Sequence, residues 1–436
     1  MRAKQVGLAL TLLVCGVSGL AVTPKLNPEP ATGLERLGIG QVVVDQRLTG
    51  KGVRIAVLSE AADGEHPDFE GADLRQWRFV QGGSPTTAER AEPLLVSSDW
   101  HGTHIASVLA ARCNLPNRGV ACGASLDVHD FGVYGDFIPL DWDASVGEVE
   151  ADFLNRVIRG FDHAAQQGAD IANLSFNLET PALALKSPNK PEVTVKDRLD
   201  KLGVGPGAFF RRRAELRESG AIAFERPESW SYLTRIGAHH DNPSSLMIGF
   251  LLPVTLEWQR MAEAMARFQA SGGVIVIAES NNRFEGHSGL LNTMPSQYEG
   301  VRESQWLSIV HVRADAAGGF ETPLNGCGRE AAQYCMAVYS PNIEAAAPEG
   351  QRHTASGHSM AVPMVTGLLA LMLEKGGRVD PGLSVSEALC VLRASAVRDF
   401  PGYDPSVHGL GVLQPLKALE SIVPDAQGGA SQSCDI

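Results

Sequence analysis

A histidine and a serine stand at the openings of two helices predicted from the sequence. His101 opens the stretch HGTHIASVLAA, in which Ile105, Val108 and Leu109 recur at helical spacing. Ser359 lies in SGHSMAVPMVTGLLALML, just before a long apolar run. A serine hydroxyl attacks a carbonyl carbon when a base takes its proton, and a helix N-terminus offers backbone N–H groups to the oxyanion that forms. The pair therefore indicates nucleophilic catalysis on a carbonyl group.

The elements that must position these two residues alternate along the chain. Short β-branched runs, typical of buried strands, are RIAVL (54–58), IANLSF (171–176), VIVIA (274–278) and WLSIVHV (306–312). Helical periodicity separates them, as in ADFLNRVIRGFDHAAQQGAD. This order predicts an α/β fold with a mostly parallel sheet and helices on both faces. In such sheets the ligand site lies beyond the carboxyl ends of the strands.

The motifs taken together resemble the subtilisin-like serine proteases. The blocks GKGVRIAVL…HPDF, HGTH and GHSMAVP match the family's three signatures in order. GADIANLSFN is similar to its substrate-binding strand, and GGVIVIAESNN to the strand before its oxyanion asparagine. The resemblance implies a three-layer fold around a central sheet. It also implies Ser359 as nucleophile, His101 as general base, and Asn281 with the Ser359 backbone N–H as oxyanion donors.

The first signature block departs from the family pattern. Alignment on HPDF places Ser59 where the family has the aspartate that orients the histidine. Neighbouring residues of a strand point to opposite faces, so Glu60 reaches His101 only through a bulge or a slipped register. Asp63 and Asp99 are further alternatives. We expect the carboxylate partner to be lost and catalysis to be weakened.

Four more departures surround the same centre. Trp100, Asn177 and Ser280 stand where the family has glycine, and His358 stands where it has threonine. Together they are expected to crowd the cleft and to weaken substrate pairing and oxyanion stabilisation. His358 is either a surface residue or an added donor near the oxyanion.

Two functions of different classes follow. The first is a secreted serine endopeptidase that acts on protein or peptide substrates through an acyl-enzyme at Ser359, weakened by the missing aspartate. The alternative is an inactive pseudoprotease that serves as a protein- or peptide-binding module. Whether the chain is an active enzyme stays open at this point.

The N-terminal stretch MRAKQVGLALTLLVCGVSGLA predicts a cleaved signal peptide over residues 1–21. We therefore expect a secreted or periplasmic protein. Outside the cytosol the remaining cysteines favour disulfides. The predicted pairs are Cys113 with Cys122, Cys327 with Cys335, and, by remainder, Cys390 with the tail residue at 434.

The predicted organisation continues with an N-terminal extension over 22–50, a peptidase domain over 51–424 and a tail over 425–436. An insertion at about 178–252 interrupts the domain and carries the basic run FRRRAELR (210–217). It is either a solvated surface helix or a lid or exosite at the rim of the cleft.

The composition bears on partners. The formal net charge of −13 argues against a nucleic-acid partner. No membrane contact is expected after signal cleavage, and we expect a monomer. No cofactor is predicted; a structural calcium ion is compatible with the family, but no acidic loop identifies its site.

Overall fold

The computed structural model describes residues 28–78, 86–87, 100–131, 146–177, 256–281, 288–289, 291–377 and 382–422. The signal segment, the 178–252 insertion with its basic run, the C-terminal tail and Asp99 lie outside the described residues.

The strands are β1 Arg54–Ser59, β2 Leu74–Arg78, β3 Thr86–Thr87, β4 Ser125–Asp130, β5 Ile171–Leu174, β6 Val274–Ala278, β7 Trp306–Ala314, β8 Phe320–Glu321, β9 Cys335–Tyr339, β10 Ile343–Ala347 and β11 Gln351–Ala355. The helices are α1 Gly33–Leu37, α2 Gly40–Asp45, α3 His101–Ala110, α4 Val146–Gln166, α5 Leu256–Ala270, α6 Met294–Gln297, α7 Gly328–Ala331, α8 His358–Gly376, α9 Val385–Ala394, α10 Pro405–His408 and α11 Pro415–Glu420.

A central sheet positions the site. Its strands lie in the order β3, β2, β4, β1, β5, β6, β7, and β9 pairs with β7. The strands β2, β4, β1, β5, β6, β7 and β9 pair with one another in parallel. The short strands β3 and β8 run antiparallel to their neighbours β2 and β7. A separate antiparallel hairpin joins β10 to β11. The carboxyl ends of β1, β5 and β6 therefore lie side by side.

Helices cover both faces of the sheet because its central strands are apolar on both sides. In β1, Ile55 and Val57 belong to one core cluster, while Ala56 and Leu58 belong to the other. The first cluster includes residues of α3, α8 and α9, and the second includes residues of α4 and α5. This arrangement confirms the predicted three-layer α/β fold.

The long helix α8 is the central helix of the first layer. It is long and apolar enough to cross a membrane, but 89% of its most apolar window is buried inside the fold. It is therefore a core helix that holds Ser359 in its first turn. Part of the N-terminal extension packs on the same side, through Leu37, Ile39 and Val43.

Two predicted disulfides are confirmed. Cys113 bonds to Cys122 across the segment between α3 and β4, and Cys327 bonds to Cys335 between the start of α7 and β9. Cys390 in α9 is disulfide-bonded as well. The partner predicted for it, at position 434, lies outside the described residues.

Candidate active site

His101 has a carboxylate partner, and it is Glu60. His101 is the first residue of α3, and its Nδ1 lies 2.7 Å from Glu60 Oε2. The expectation that the carboxylate is lost is therefore wrong. Side chains alternate between the two faces only within a strand. β1 ends at Ser59, so this rule does not fix the direction of the Glu60 side chain, which turns towards α3.

Ser59, which occupies the aspartate position of the family, supports this contact. Its Oγ donates to Glu60 Oε2 at 2.8 Å, so the same carboxylate oxygen faces both Ser59 and His101. Burial acts to raise the pKa of Glu60, but the charge and hydrogen bond of His101, together with the Ser59 hydroxyl, outweigh it and lower that pKa. The carboxylate is therefore ionised where it faces the imidazole.

A glycine lets α3 approach the end of β1. A Cβ atom placed on Gly102 would lie 2.4 Å from the backbone oxygens of Glu60 and Ala61. No side chain fits in that space, so the residue after His101 must be glycine for the helix to begin here. Asp63, the other described alternative, accepts hydrogen bonds from the backbone N–H groups of Glu65 and Glu349 at 3.2 Å each.

Ser359 is the second residue of α8, following Gly357 at the helix N-cap. Gly357 has φ 156°, a backbone conformation that side chains rarely allow. The Ser359 Oγ donates to the backbone oxygen of Ser175 at 2.8 Å, and Ser175 Oγ donates to Ser359 O at 3.0 Å. Within the described residues Ser359 Oγ has no hydrogen bond to His101, so the hydroxyl must rotate before it can transfer its proton there.

Asn281 lies beside the start of α8. It follows β6, its side chain is exposed, and its Oδ1 lies 3.9 Å from the position of a Cβ on Gly357. The N–H of Ser359, in the first turn of the helix, has no carbonyl within the helix to accept it. Two donors, one from each element, are thus available to an oxyanion.

The three predicted site residues line one cleft of about 300 Å³. The lining residues are Glu60, Trp100, His101, Ser175, Phe176, Asn177, Ala278, Glu279, Asn281 and Ser359. The structure therefore brings His101, Ser359 and Asn281 together at the carboxyl ends of the central strands. No group of three histidine, cysteine or acidic residues suited to a metal ion occurs in the described part of the chain.

The departures from the family pattern have separate structural roles. Trp100 lines the cleft and its ring lies 4.3 Å from that of His353. Asn177 donates from Nδ2 to Ala278 O at 2.9 Å and to Asn292, so it ties the segment after β5 to the end of β6. Both residues occupy space beside the cleft that a glycine would leave open.

His358 is not a surface residue. It is fully buried, and its Nδ1 accepts a hydrogen bond from the backbone N–H of His311 at 2.7 Å. The residue before Ser359 therefore fixes the start of α8 against β7.

Sequence reasoning missed Glu279 and Ser175. Glu279 lines the cleft with 1% exposure, and burial raises its pKa to about 8. Its signal was visible: in VIVIAE an acidic residue directly follows an apolar run, at the strand end where ligand sites form. Ser175 carried no such signal, because its role depends on a contact with a residue 184 positions later.

Comparison with known proteins identifies relatives. The model of the subtilase family matches residues 50–397. The chain is 28% identical over 195 residues to an intracellular serine protease of Paenibacillus polymyxa, a match that covers 41% of this chain and 52% of that protein. It is 30% identical over 155 residues to subtilisin E of Bacillus subtilis (strain 168), covering 34% of each. The matches to these curated relatives thus span about half of their length or less.

Solved structures share the fold at low identity. The prenylagaramide maturation protease PagA superposes with a TM-score of 0.54 at 19% identity, covering 88% of this chain and 98% of that one. Fervidolysin from Fervidobacterium pennivorans, a keratinolytic enzyme related to subtilisin, superposes with a TM-score of 0.52 at 18% identity, covering 89% of this chain and 45% of that one. The PatG macrocyclase in complex with peptide gives a TM-score of 0.55 at 15% identity, covering 91% and 99%.

Proposed function

Because this chain belongs to the subtilase family, we propose that it is a serine endopeptidase that hydrolyses peptide bonds in protein or peptide substrates. The observation that carries the proposal is the 2.7 Å contact between His101 Nδ1 and Glu60 Oε2. It supplies the anionic partner whose absence would have favoured an inactive protein. Glu60 lies one position later in the chain than the family's aspartate, and its side chain is longer by one methylene group.

The proposed reaction begins when substrate enters the cleft and Ser359 Oγ turns from the Ser175 carbonyl towards His101. The hydroxyl oxygen bonds to the scissile carbonyl carbon while its proton passes to His101 Nε2. Asn281 Nδ2 and the Ser359 N–H donate to the resulting oxyanion. Glu60 stabilises the imidazolium and holds its Nδ1–H.

Collapse of the tetrahedral intermediate breaks the C–N bond, and His101 donates its proton to the leaving amine. The acyl group remains as an ester of Ser359. A water molecule then gives a proton to His101 as its oxygen adds to the ester carbonyl carbon. Collapse of this second tetrahedral intermediate breaks the bond between that carbon and Ser359 Oγ, His101 returns the proton to Oγ, and the carboxylic acid product leaves.

The test measures hydrolysis of internally quenched peptides and labelling by a fluorophosphonate probe. Glu60→Gln keeps the side-chain shape but removes the charge, and in proteases of this mechanism loss of the orienting carboxylate lowers turnover by about 10⁴-fold. We expect a loss of this order in Glu60→Gln and no labelling in Ser359→Ala. Unchanged turnover in Glu60→Gln would contradict the role of Glu60.

A binding module is the second candidate. The hydrogen bond from Ser359 Oγ to Ser175 O favours it, because in this arrangement the nucleophile is turned away from its base. A wild-type protein that binds peptides by fluorescence anisotropy, but neither cleaves them nor reacts with the fluorophosphonate, would establish this function and exclude the first.

The compartment is part of the proposal. We propose that the chain is exported after cleavage of residues 1–21, since the confirmed disulfides fit an oxidising environment. Mass spectrometry of the mature N-terminus tests this, and a protein that begins at Met1 would contradict it. The monomeric state stays a prediction.

A further inference from the structure

The cleft contains a buried carboxyl group that the proposed reaction does not use. The Oε1 atom of Glu279 accepts from the backbone N–H groups of Ser280, at 3.0 Å, and Gly289. It also accepts from Asn325 Nδ2 at 3.3 Å. The second oxygen, Oε2, is buried and has no hydrogen-bond partner among the described residues. One oxygen is thus fully used and the other is unpaired.

A buried carboxyl oxygen without a hydrogen-bond partner is unfavourable unless a ligand supplies a donor or a positive charge. Burial removes water from this carboxyl and raises its pKa to about 8, so ionisation requires a nearby positive charge or donor. A cation against Oε2 would supply the missing donor and would favour the charged form. The site is therefore complementary to a cationic group.

The place of Glu279 in the cleft indicates which part of a substrate reaches it. Glu279 precedes the oxyanion donor Asn281 by two positions, and both line the cleft. Ser175 and Asn177, which follow the neighbouring strand β5, line the same cleft. A scissile carbonyl held between Ser359 and Asn281 would place the side chain of its own residue, P1, in this part of the cleft.

We propose, resting on the peptidase function above, that Glu279 is a specificity-determining residue that binds a cationic P1 side chain, lysine in preference to arginine. A guanidinium pairs best with a carboxylate that offers both oxygens, whereas an ammonium needs only one. Oε1 already accepts three N–H groups, so only Oε2 remains for the substrate. The formal net charge of −13 adds a general attraction for basic peptides.

The experiment compares peptides that differ only at P1, with lysine, arginine or norleucine, an uncharged residue that has the four side-chain carbons of lysine but no ammonium group. Removing one partner of a buried charge pair causes a large loss of binding, so kcat/KM for lysine is expected to exceed that for norleucine by about 30-fold or more. Glu279→Gln should bring this ratio close to one. The control Glu321→Gln removes a carboxylate that pairs with exposed Arg313 outside the cleft, and should keep the wild-type ratio.

A binding measurement separates this inference from the proposed function. In Ser359→Ala, fluorescence anisotropy should show tighter binding of the lysine peptide than of the norleucine peptide, with no turnover required. A lysine preference in binding without any cleavage by the wild type would keep the role of Glu279 and overturn the peptidase function. Cleavage by the wild type with equal binding of the lysine and norleucine peptides would overturn the role of Glu279 alone, and would mean that water completes Oε2. A lysine preference that persists in Glu279→Gln would show that another group binds the lysine side chain, and would overturn the role of Glu279.

Discussion

At the scale of single residues, the site differs from its family in the origin of one carboxylate. Glu60 follows the strand instead of ending it, and the residue in the aspartate position, Ser59, donates to it. An anion bound by two donors is fixed in one orientation, and it fixes the imidazole in turn. In the proposed mechanism Ser59 is therefore a positioning residue that acts through Glu60.

This arrangement predicts that Ser59→Asp lowers activity instead of restoring it. A second carboxylate would lie against Glu60 Oε2, and like charges at that distance raise a pKa and displace one group. Ser59→Ala, which removes one donor only, should lose about tenfold or less in kcat. Hydrolysis rates at pH 7 check the order wild type, Ser59→Ala, Ser59→Asp.

Ser271→Ala is the matched control, because the Ser271 hydroxyl bonds to Phe268 O at the end of α5 and lies outside the cleft. Higher turnover in Ser59→Asp than in the wild type would show that the aspartate position is the productive one. In that case the Glu60 contact is not part of catalysis.

At the scale of elements, the distance between α3 and the end of β1 sets the contact between Glu60 and His101. Gly102→Ala would place a methyl group 2.4 Å from the backbone oxygens of Glu60 and Ala61, so α3 must move. Overpacking of this kind destabilises proteins by about 1–3 kcal/mol, and a misplacement near 1 Å costs about 10²-fold in rate. We expect both losses, measured by urea unfolding and by kcat.

The control is Gly40→Ala at the first residue of α2, where an added Cβ meets nothing within 4 Å. Alanine favours a helix over glycine, so its stability should stay equal or rise slightly. Full activity in Gly102→Ala would contradict the tight approach of α3 to β1.

The sequence predicted which residues meet at the site better than it predicted the contacts between their side chains. His101, Ser359 and Asn281 meet because each follows or faces the carboxyl end of a parallel strand, a property that motif order already implied. Glu60 was misjudged because alternation holds inside a strand, and the strand ends one residue earlier; such ends are the least predictable feature of a sequence. The Ser175 contact to Ser359 depends on packing between distant segments, which local pattern does not encode.

At the scale of the whole molecule, burial fixes the charge of groups far from the cleft as well as in it. Burial lowers the pKa of His129 and His358 to about 3, and that of His104 and His311 to about 4. Each is neutral in the folded protein near pH 6.5. In the unfolded chain each takes up a proton below about pH 6.5, so their contribution to stability is lost as the pH falls from about 6.5 towards 3.

Glu279 acts in the opposite direction. It stays protonated in the folded protein up to a pKa of about 8, whereas the unfolded chain releases that proton above about pH 4.5. Its contribution is therefore present in acid and is lost as the pH rises through this window. Burial also lowers the pKa of His163 and raises the pKa of Asp127 and Asp170. Five histidines thus oppose three carboxyls, and we expect the histidines to dominate below pH 6.5.

We therefore expect the free energy of unfolding to fall by about 2–4 kcal/mol between pH 7 and pH 5.5, since each mismatched proton is worth up to about 1.4 kcal/mol per pH unit. Urea unfolding at the two pH values measures it. His311→Gln, which removes one buried titrating group, should reduce the difference, whereas His353→Gln, at an exposed position, should not. A stability that rises in acid would mean that Glu279 outweighs the histidines; Glu279→Gln would then remove the rise, because its amide keeps the shape of the carboxyl group without a proton to lose.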